Sequence, residues 1–282
     1  MDLHQLFDVS GRTALITGCS SPSGFGAAFA HQLAKCGANV VVAARRSEPL
    51  EALVEELNNL SSSSQSDTQP KPGQAKAVLL DLSKSESEIE PAVDQAWQAF
   101  GCIDILVNNA GVDGKSLPNL EFDQADFDHV MSVNVRGLMT LSKLVARKLI
   151  PANLPGNFIN IASISGGTML APQFSGHANY CSSKAAVVQC TKALAVELAP
   201  HNIRVNCINP GWFLTDMSRK MLTTPAGESI RAATPLQKFG DVGADLLGPL
   251  LMLASRNASG FTTGSVVTID GGFTCQGPVR FD

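Results

Sequence analysis

Seven short runs of the chain are apolar almost without interruption: TALIT, VVVAA, AVLLD, DILVN, FINIA, RVNCIN and SVVTID. A strand with one face in water alternates apolar and polar residues, so runs of this kind must be covered on both faces. Helical patterns separate them, and strands that alternate with helices pair in parallel. This predicts a doubly wound α/β fold, with residues 1–282 forming one domain. The first crossover helix is expected from Gly24, in GFGAAFAHQLAKCG, with Phe25, Ala28, Phe29 and Leu33 on one side and Gly37 as its stop. Residues 58–73, NNLSSSSQSDTQPKPG, hold too few apolar side chains to bury and read as a mobile loop within the domain.

Composition narrows the function classes. In 282 residues, 44% of them hydrophobic, there is enough apolar material for a sizeable core. A net charge of −4 leaves no basic excess to follow a phosphate backbone, so nucleic acid is not an expected partner. The seven cysteines are scattered, odd in number and without metal-type spacing, which predicts a reducing compartment, no disulfide framework and no metal. No apolar stretch approaches the ~18 residues of a membrane span, and MDLHQLFDVSGR lacks the marks of a signal or transit peptide. A cytoplasmic location is therefore expected.

The segment TALITGCSSPSGFG places Gly18, Gly24 and Gly26 where a strand turns into a helix. Helix N-termini carry free N–H groups and partial positive charge, so glycines there admit a pyrophosphate. An acid at the end of the second strand would accept hydrogen bonds from a ribose diol. The chain instead reads VVVAARRSE, with Ala44 at that place, followed by Arg45 and Arg46. Arginine pairs with a phosphate dianion, which favours NADP(H), with Arg45 as the main clamp and Ser20 or Ser21 as helpers. Asp81, closing AVLLD, is either an adenine contact or a turn former.

These motifs, with NNAG at 108–111, Asn134 in MSVNVRG, Ser163 in INIAS, YCSSK at 180–184, NPGWFLT at 209–215 and TGSVVTIDGG, resemble the short-chain dehydrogenase/reductase family from Val9 to Phe273. The resemblance implies a Rossmann-type domain with a seven-stranded parallel sheet and pyridine-nucleotide oxidoreduction with pro-S hydride transfer. It adds Leu82, Asn109, Ala110, Gly111, Pro210, Gly211, Phe213 and Thr215 to the expected cofactor contacts, alongside Phe25, Tyr180 and Lys184. Thr215 would hold the nicotinamide carboxamide. Two features depart from the family pattern. Five residues separate Gly18 from Gly24 where three are usual, as in divergent enoyl-thioester reductases. Those enzymes space tyrosine and lysine more widely than this chain does, so enoyl reduction is not the first reading. Sixteen residues separate Ser163 from Tyr180, more than the usual dozen, so the loop bordering the substrate is longer.

Tyr180 is the only tyrosine, and Lys184 lies one helical turn beyond it on the same face. Ketone reduction needs a proton donor, and a phenol with a pKa near ~10 needs a nearby positive charge to cycle at neutrality. Lys184 is expected to lower that pKa and to hold the nicotinamide ribose, while Tyr180 acts as acid in reduction and base in oxidation. Ser163, after the fifth strand, would donate to the carbonyl oxygen. By the resemblance, Asn134 anchors a water that relays protons to Lys184. His177 reads as a loop or substrate-contact residue.

Met169, Leu170, Phe174, Trp212, Phe213 and Met217 are expected to line the substrate cavity. The expected activity is reversible NADPH-dependent reduction of a small carbonyl compound to a secondary alcohol. LFDVSGRTALITG and ADLLGPLLMLAS resemble gluconate- and polyol-oxidising members. A 3-oxoacyl-carrier-protein reductase is another reading, with Arg136, Lys143, Arg147 and Lys148 as a carrier dock or a subunit contact. A non-catalytic NADP(H) sensor is the reading from a different class. Small and apolar residues on helices near Gln124 and Tyr180 imply a homotetramer, with a dimer as the alternative.

Overall fold

Each apolar run becomes a strand, and the strands pair in parallel because the intervening helices carry the chain back across the sheet. The computed structural model describes residues 3–63, 70–167 and 176–275. Strands β1 (Thr13–Thr17), β2 (Asn39–Ala44), β3 (Ala75–Leu79), β4 (Ile105–Asn108), β5 (Gly156–Ile161), β6 (Ile203–Pro210) and β7 (Val266–Ile269) form one seven-stranded sheet. Its order is β3-β2-β1-β4-β5-β6-β7, all parallel. The helices that bear on the site are α1 (Phe25–Lys35), α2 (Ser47–Ser63), α3 (Glu86–Phe100), α4 (Gln124–Met131), α5 (Leu138–Leu149), α6 (Ala178–Leu198), α7 (Asp216–Leu222), α8 (Pro225–Ala233) and α9 (Leu247–Ala254).

Successive strand residues serve opposite faces. Ala14 and Ile16 of β1 join Phe29 and Leu33 of α1, Leu50 of α2 and Leu253 of α9. Leu15 points the other way, toward Ile89 of α3, Leu141 of α5 and Leu198 of α6. Full burial of a side chain such as Phe29 or Leu141 contributes about 2 kcal/mol, and the polar residues buried in β5 and β6 are hydrogen-bonded, as Asn160 is to Asn108 and Thr191 and Arg204 to Ser259 and Leu253 O. The edges relax this rule: Leu79 on β3 is 57% exposed, and no residue of β7 is fully buried.

The segment 58–73 differs from the expected loop. Helix α2 continues to Ser63, and the side chain of Asn58 accepts from Ala75 N at 2.8 Å and donates to Ala75 O at 3.2 Å. That side chain pairs with the start of β3 as a neighbouring strand would. Gly73 donates to Ala34 O at 3.0 Å and sits so close to Ala38 that an added Cβ would meet its carbonyl. Both ends of the segment are thus pinned to the sandwich, and residues 64–69 lie outside the described part.

Candidate active site

The strand order reverses between β1 and β4, so the crossovers from these two neighbours leave toward opposite sides and open a crevice at their carboxyl ends. A cavity of about 280 Å³ occupies that crevice, bordered by Gly18, Arg45, Asn109, Tyr180, Lys184 and Thr215 among others. Gly18 has φ +75, and a Cβ there would stand 2.8 Å from Ala110 Cα. Gly24 caps α1 with no side-chain hydrogen bond, leaving the first-turn N–H groups without a competing side-chain acceptor. The Thr17 hydroxyl ties the two loops together, accepting from Asn109 N at 3.1 Å and Ala110 N at 3.0 Å.

The lengthened glycine loop has a use that its spacing did not reveal. Ser21 and Ser23 donate to the two carboxylate oxygens of Asp216, at 2.6 and 2.5 Å. These hydroxyls hold the Asp216 carboxyl below its ordinary range. Asp216 opens α7, so the extra loop residues clasp that helix over the cavity, with Thr215 capping it through Ser218. Arg46 donates to Ser20 O at 2.8 Å and to Ser20 Oγ at 3.2 Å, fastening the loop from its other side. Arg45 borders the cavity. Asp81 forms the expected turn and also stands at the cavity. It accepts from the Ser83 N–H and hydroxyl at 2.9 and 2.8 Å. Burial acts to raise its pKa, but these bonds and the Arg45 charge hold it below the usual range.

At the other end of the cavity, α6 presents Tyr180 and Lys184 to the end of β5. Lys184 is 4% exposed, donates to Ile161 O at 2.9 Å and lies 5.6 Å from the centre of the Tyr180 ring. The Ser163 hydroxyl donates to Ser165 Oγ at 3.2 Å and lies near enough to the Tyr180 phenol to act to lower its pKa. The expected lowering of the tyrosine pKa is not what this geometry produces. Burial pushes the phenol up to about 12 and the Lys184 ammonium down to about 8. Desolvation disfavours both charged forms and outweighs the effect of Ser163; Asp113 and Cys181 also raise the phenol.

Asn134 lies in a π-helical turn, Ser132–Gly137, that joins α4 to α5. Single π turns of this kind gather at functional sites. Its buried amide accepts from Val112 N at 2.9 Å and donates to Val112 O at 2.8 Å and Ser183 Oγ at 2.9 Å. Asn134 is therefore a clamp between the loop after β4 and the turn of α6 that carries Ser183 and Lys184.

Most expected cofactor contacts border the cavity: Gly18, Ser20, Ser21, Gly24, Phe25, Arg45, Asp81, Leu82, Asn109, Ala110, Gly111, Tyr180, Lys184 and Thr215. Five do not, each for a packing reason. Gly26 makes room for Gly18 O, which a Cβ would meet at 2.6 Å, and Arg46 is spent on Ser20. Pro210 ends β6, and Gly211 backs onto Asp270. Phe213 is buried, its ring edge-on to Phe25 at 5.4 Å and against Gly240. It belongs to the core, not to the substrate cavity. Trp212 also turns away and packs edge-on with Phe273, whereas Met217 does border the cavity. Met169, Leu170 and Phe174 lie outside the described residues. His177 precedes α6 without bordering the cavity. Sequence reasoning missed Thr17, Ser23 and Asp216; the three serines packed into the glycine loop were the available signal for a clasp.

The described residues gather no group of three or more His, Cys, Asp or Glu able to hold a metal ion, and include no helix long and apolar enough to cross a membrane. A sheet with its crevice at the β1/β4 switch point, bordered by a glycine loop and a tyrosine–lysine pair, defines a dinucleotide-binding oxidoreductase scaffold. The sequence model of the family described as short chain dehydrogenase matches residues 12–226. L-xylulose reductase of Mesocricetus auratus is 36% identical over 266 residues, 94% of this chain and 97% of that protein. A short-chain type dehydrogenase/reductase from Mycobacterium marinum superposes with TM-score 0.86 at 36% identity, over 98% of this chain and 100% of the other. A gluconate 5-dehydrogenase from Burkholderia cenocepacia, in complex with NADP and tartrate, gives TM-score 0.86 at 29% identity, over 98% of this chain and 100% of the other. The chain belongs to the short-chain dehydrogenase family. It is an oxidoreductase that acts on CH–OH and C=O groups with a nicotinamide cofactor. The crevice fits such a cofactor: the close approach of Gly18 to Ala110 leaves backbone, not side chains, facing the uncapped start of α1.

Proposed function

We propose that this protein is an NADPH-dependent carbonyl reductase that converts a small ketone to a secondary alcohol, reversibly. The bound dinucleotide supplies hydride in reduction and accepts it in oxidation. The chain's own groups do the rest. Tyr180 gives its phenolic proton to the developing alkoxide, and Ser163, beside that phenol, donates to the same substrate oxygen. Lys184 holds the nicotinamide ribose, and Asn134 fixes the loop that carries residues 109–112 along the cofactor. The observation that carries this reading is the Ser163–Tyr180–Lys184 cluster at the end of β5, in the wall of the same cavity as the glycine loop.

The preference for NADP(H) rests on the residues at the end of β2. Ala44 has no side-chain acceptor for a ribose diol, while Arg45 borders the cavity beside it. The NADP complex of the Burkholderia relative supports the same choice. Among substrates, a ketose, polyol or sugar acid is favoured over an acyl-carrier thioester. The four cations considered for carrier docking are engaged within the chain: Arg136 with Ser83 O, Lys143 with Glu86, Arg147 with Glu86 at 3.1 Å and Lys148 with Asp94 at 2.5 Å. A homotetramer is supported by the outer face of α6, where Ala185, Ala193 and Val196 stay exposed, the last at 80%. Free thiols on the described cysteines suit the reducing cytoplasm.

The test is the loss of NADPH absorbance with a panel of ketoses, keto acids and simple ketones, on wild-type and Tyr180→Phe protein. Turnover by the wild type and its loss in the variant, with NADPH binding retained, is the expected result. Tight NADPH binding without oxidation on any carbonyl would favour a sensor, and substantial turnover by Tyr180→Phe would remove Tyr180 as the proton donor.

A further inference from the structure

Tyr180 stands in the first turn of α6, where backbone N–H groups have no partner within the helix. Its N–H is taken by the side chain of the residue before it: Asn179 Oδ1 accepts from Tyr180 N at 2.7 Å. The amide nitrogen of the buried Asn179 donates in turn to Asp126 Oδ2 on α4, at 2.6 Å. A carboxylate only accepts, so Asp126 fixes which end of the amide faces Tyr180. The same carboxylate oxygen accepts from Lys115 N at 3.0 Å. Gly114, with φ +71, crosses directly over the bond between Asn179 and Asp126, so close that a Cβ would stand 2.6 Å from both bonded atoms.

The start of α4 is anchored to the same loop. Asp123 caps the helix, accepting from Ala125 N at 2.9 Å and Asp126 N at 3.3 Å, and Lys115 pairs with Asp123 at 2.6 Å. The carbonyl of Tyr180 is held separately. It accepts from Ser183 Oγ at 2.7 Å, and that hydroxyl accepts from Asn134 Nδ2 at 2.9 Å. Two straps therefore tie the loop after β4 to the Tyr180 backbone. One runs from Val112 through Asn134 and Ser183 to the carbonyl, the other from Lys115 through Asp126 and Asn179 to the N–H. Residues 109–112 of that loop border the cofactor cavity, as Tyr180 does.

We propose that Asp126, acting through Asn179, is a positioning residue for the proton donor: it registers the first turn of α6, and with it the Tyr180 phenol, against the loop that runs along the cofactor. This rests on the carbonyl-reductase reading, in which Tyr180 gives up its proton as hydride is transferred. Neither Asp126 nor Asn179 borders the cavity, so loss of the strap shifts the phenol without removing a cofactor contact. A misplacement of about 1 Å costs up to about a hundredfold in rate, so a partial shift is expected to cost about tenfold.

The experiment uses Asp126→Ala, Asp126→Asn, Asn179→Ala and the double alanine variant, with NADPH and the carbonyl compound that wild type turns over fastest in the panel. Asp126→Ala is expected to lower kcat about tenfold, with KM for NADPH and for the carbonyl changed by less than about twofold. Asp126→Asn keeps an oxygen for both bonds and is expected to retain most of kcat. Asn179→Ala breaks the same strap without touching α4, and the double variant is expected to be no slower than the slower single one. Because Tyr180 is the only tyrosine, protein labelled with carbon-13 at tyrosine Cζ gives one resonance that is read without turnover. On addition of NADP+ it is expected to shift in wild type and Asp126→Asn alike, and to broaden or shift differently in Asp126→Ala although NADP+ still binds. Wild-type kcat and resonance in Asp126→Ala, equal loss of kcat and cofactor affinity, or an Asp126→Asn variant as slow as Asp126→Ala overturns the proposal while leaving carbonyl reduction intact. Failure of wild type on every carbonyl with NADPH bound overturns both.

Discussion

Replacing Lys184 with methionine is expected to stabilise the protein at neutral pH while destroying its activity. Burial lowers this ammonium from an ordinary 10.5 to about 8. At 1.36 kcal/mol per pKa unit, the folded state bears roughly 3 kcal/mol for keeping the charge inside. Against this, methionine loses the bond to Ile161 O, which costs about 1–2 kcal/mol. The net gain at pH 7 is about 1–2 kcal/mol, a rise of a few degrees in Tm. Its pH dependence is the sharper signature. Below pH 8 the lysine is protonated whether folded or unfolded, so the burial penalty is present in full. Between pH 8 and 10.5 the folded state releases its proton first, and wild-type stability rises with pH relative to the variant. Above 10.5 the penalty is gone, the neutral amine can still donate to Ile161 O, and Lys184→Met is expected to be the less stable protein. Urea unfolding of both proteins at pH 7 and pH 10.5 measures this directly. A variant that is less stable at pH 7, by a margin that does not change with pH, would refute the reasoning.

Two perturbations test the cofactor end. Arg45→Ala is expected to weaken NADPH ten- to a hundredfold and NADH little, as for loss of charge-assisted bonds to a phosphate. Fluorescence titration with each cofactor measures this, and equal losses would remove Arg45 as the phosphate reader. Asp216→Ala frees Ser21 and Ser23 and is expected to weaken NADPH and NADH alike, by several fold. Because its carboxyl is held below the ordinary range, the clasp is expected to persist from neutral pH until the pH falls through that lowered pKa. Unchanged affinity for both cofactors in Asp216→Ala would show that the clasp does not shape the site.

The strands were legible because full burial on two faces leaves a compositional mark, and all seven runs fell within two residues of their observed positions. Site residue types were legible for a related reason: a glycine needed for close approach, or a tyrosine one turn before a lysine, is a local pattern. What escaped were outcomes set by partners distant in sequence. Asn58 looked like the first residue of a loop because its partner, Ala75, lies 17 residues away. Phe213 looked like a cavity residue because an apolar side chain in a loop is ambiguous until Phe25 is packed against it. Ser21 and Ser23 find their acceptor in Asp216, 195 and 193 residues later.

The pair at the reactive end illustrates the same limit in its chemistry. Spacing alone suggests an ammonium lowering a phenol, but burial acts on both groups and drives their pKa values apart from the desired side. With Tyr180 at about 12, the phenol is protonated throughout the neutral range. In the proposed mechanism that is the form that gives a proton to an alkoxide, as a phenol of ordinary pKa also would at neutral pH. Oxidation needs the phenolate, and the ammonium of Lys184, itself near 8 and turned toward Ile161 O, is not arranged to supply it. The remaining source of positive charge is the oxidised nicotinamide ring, which is present only when the reaction runs toward the ketone. In the proposed mechanism, the need for a positive charge beside Tyr180 in oxidation thus follows from how α6 packs this turn of its helix against β5.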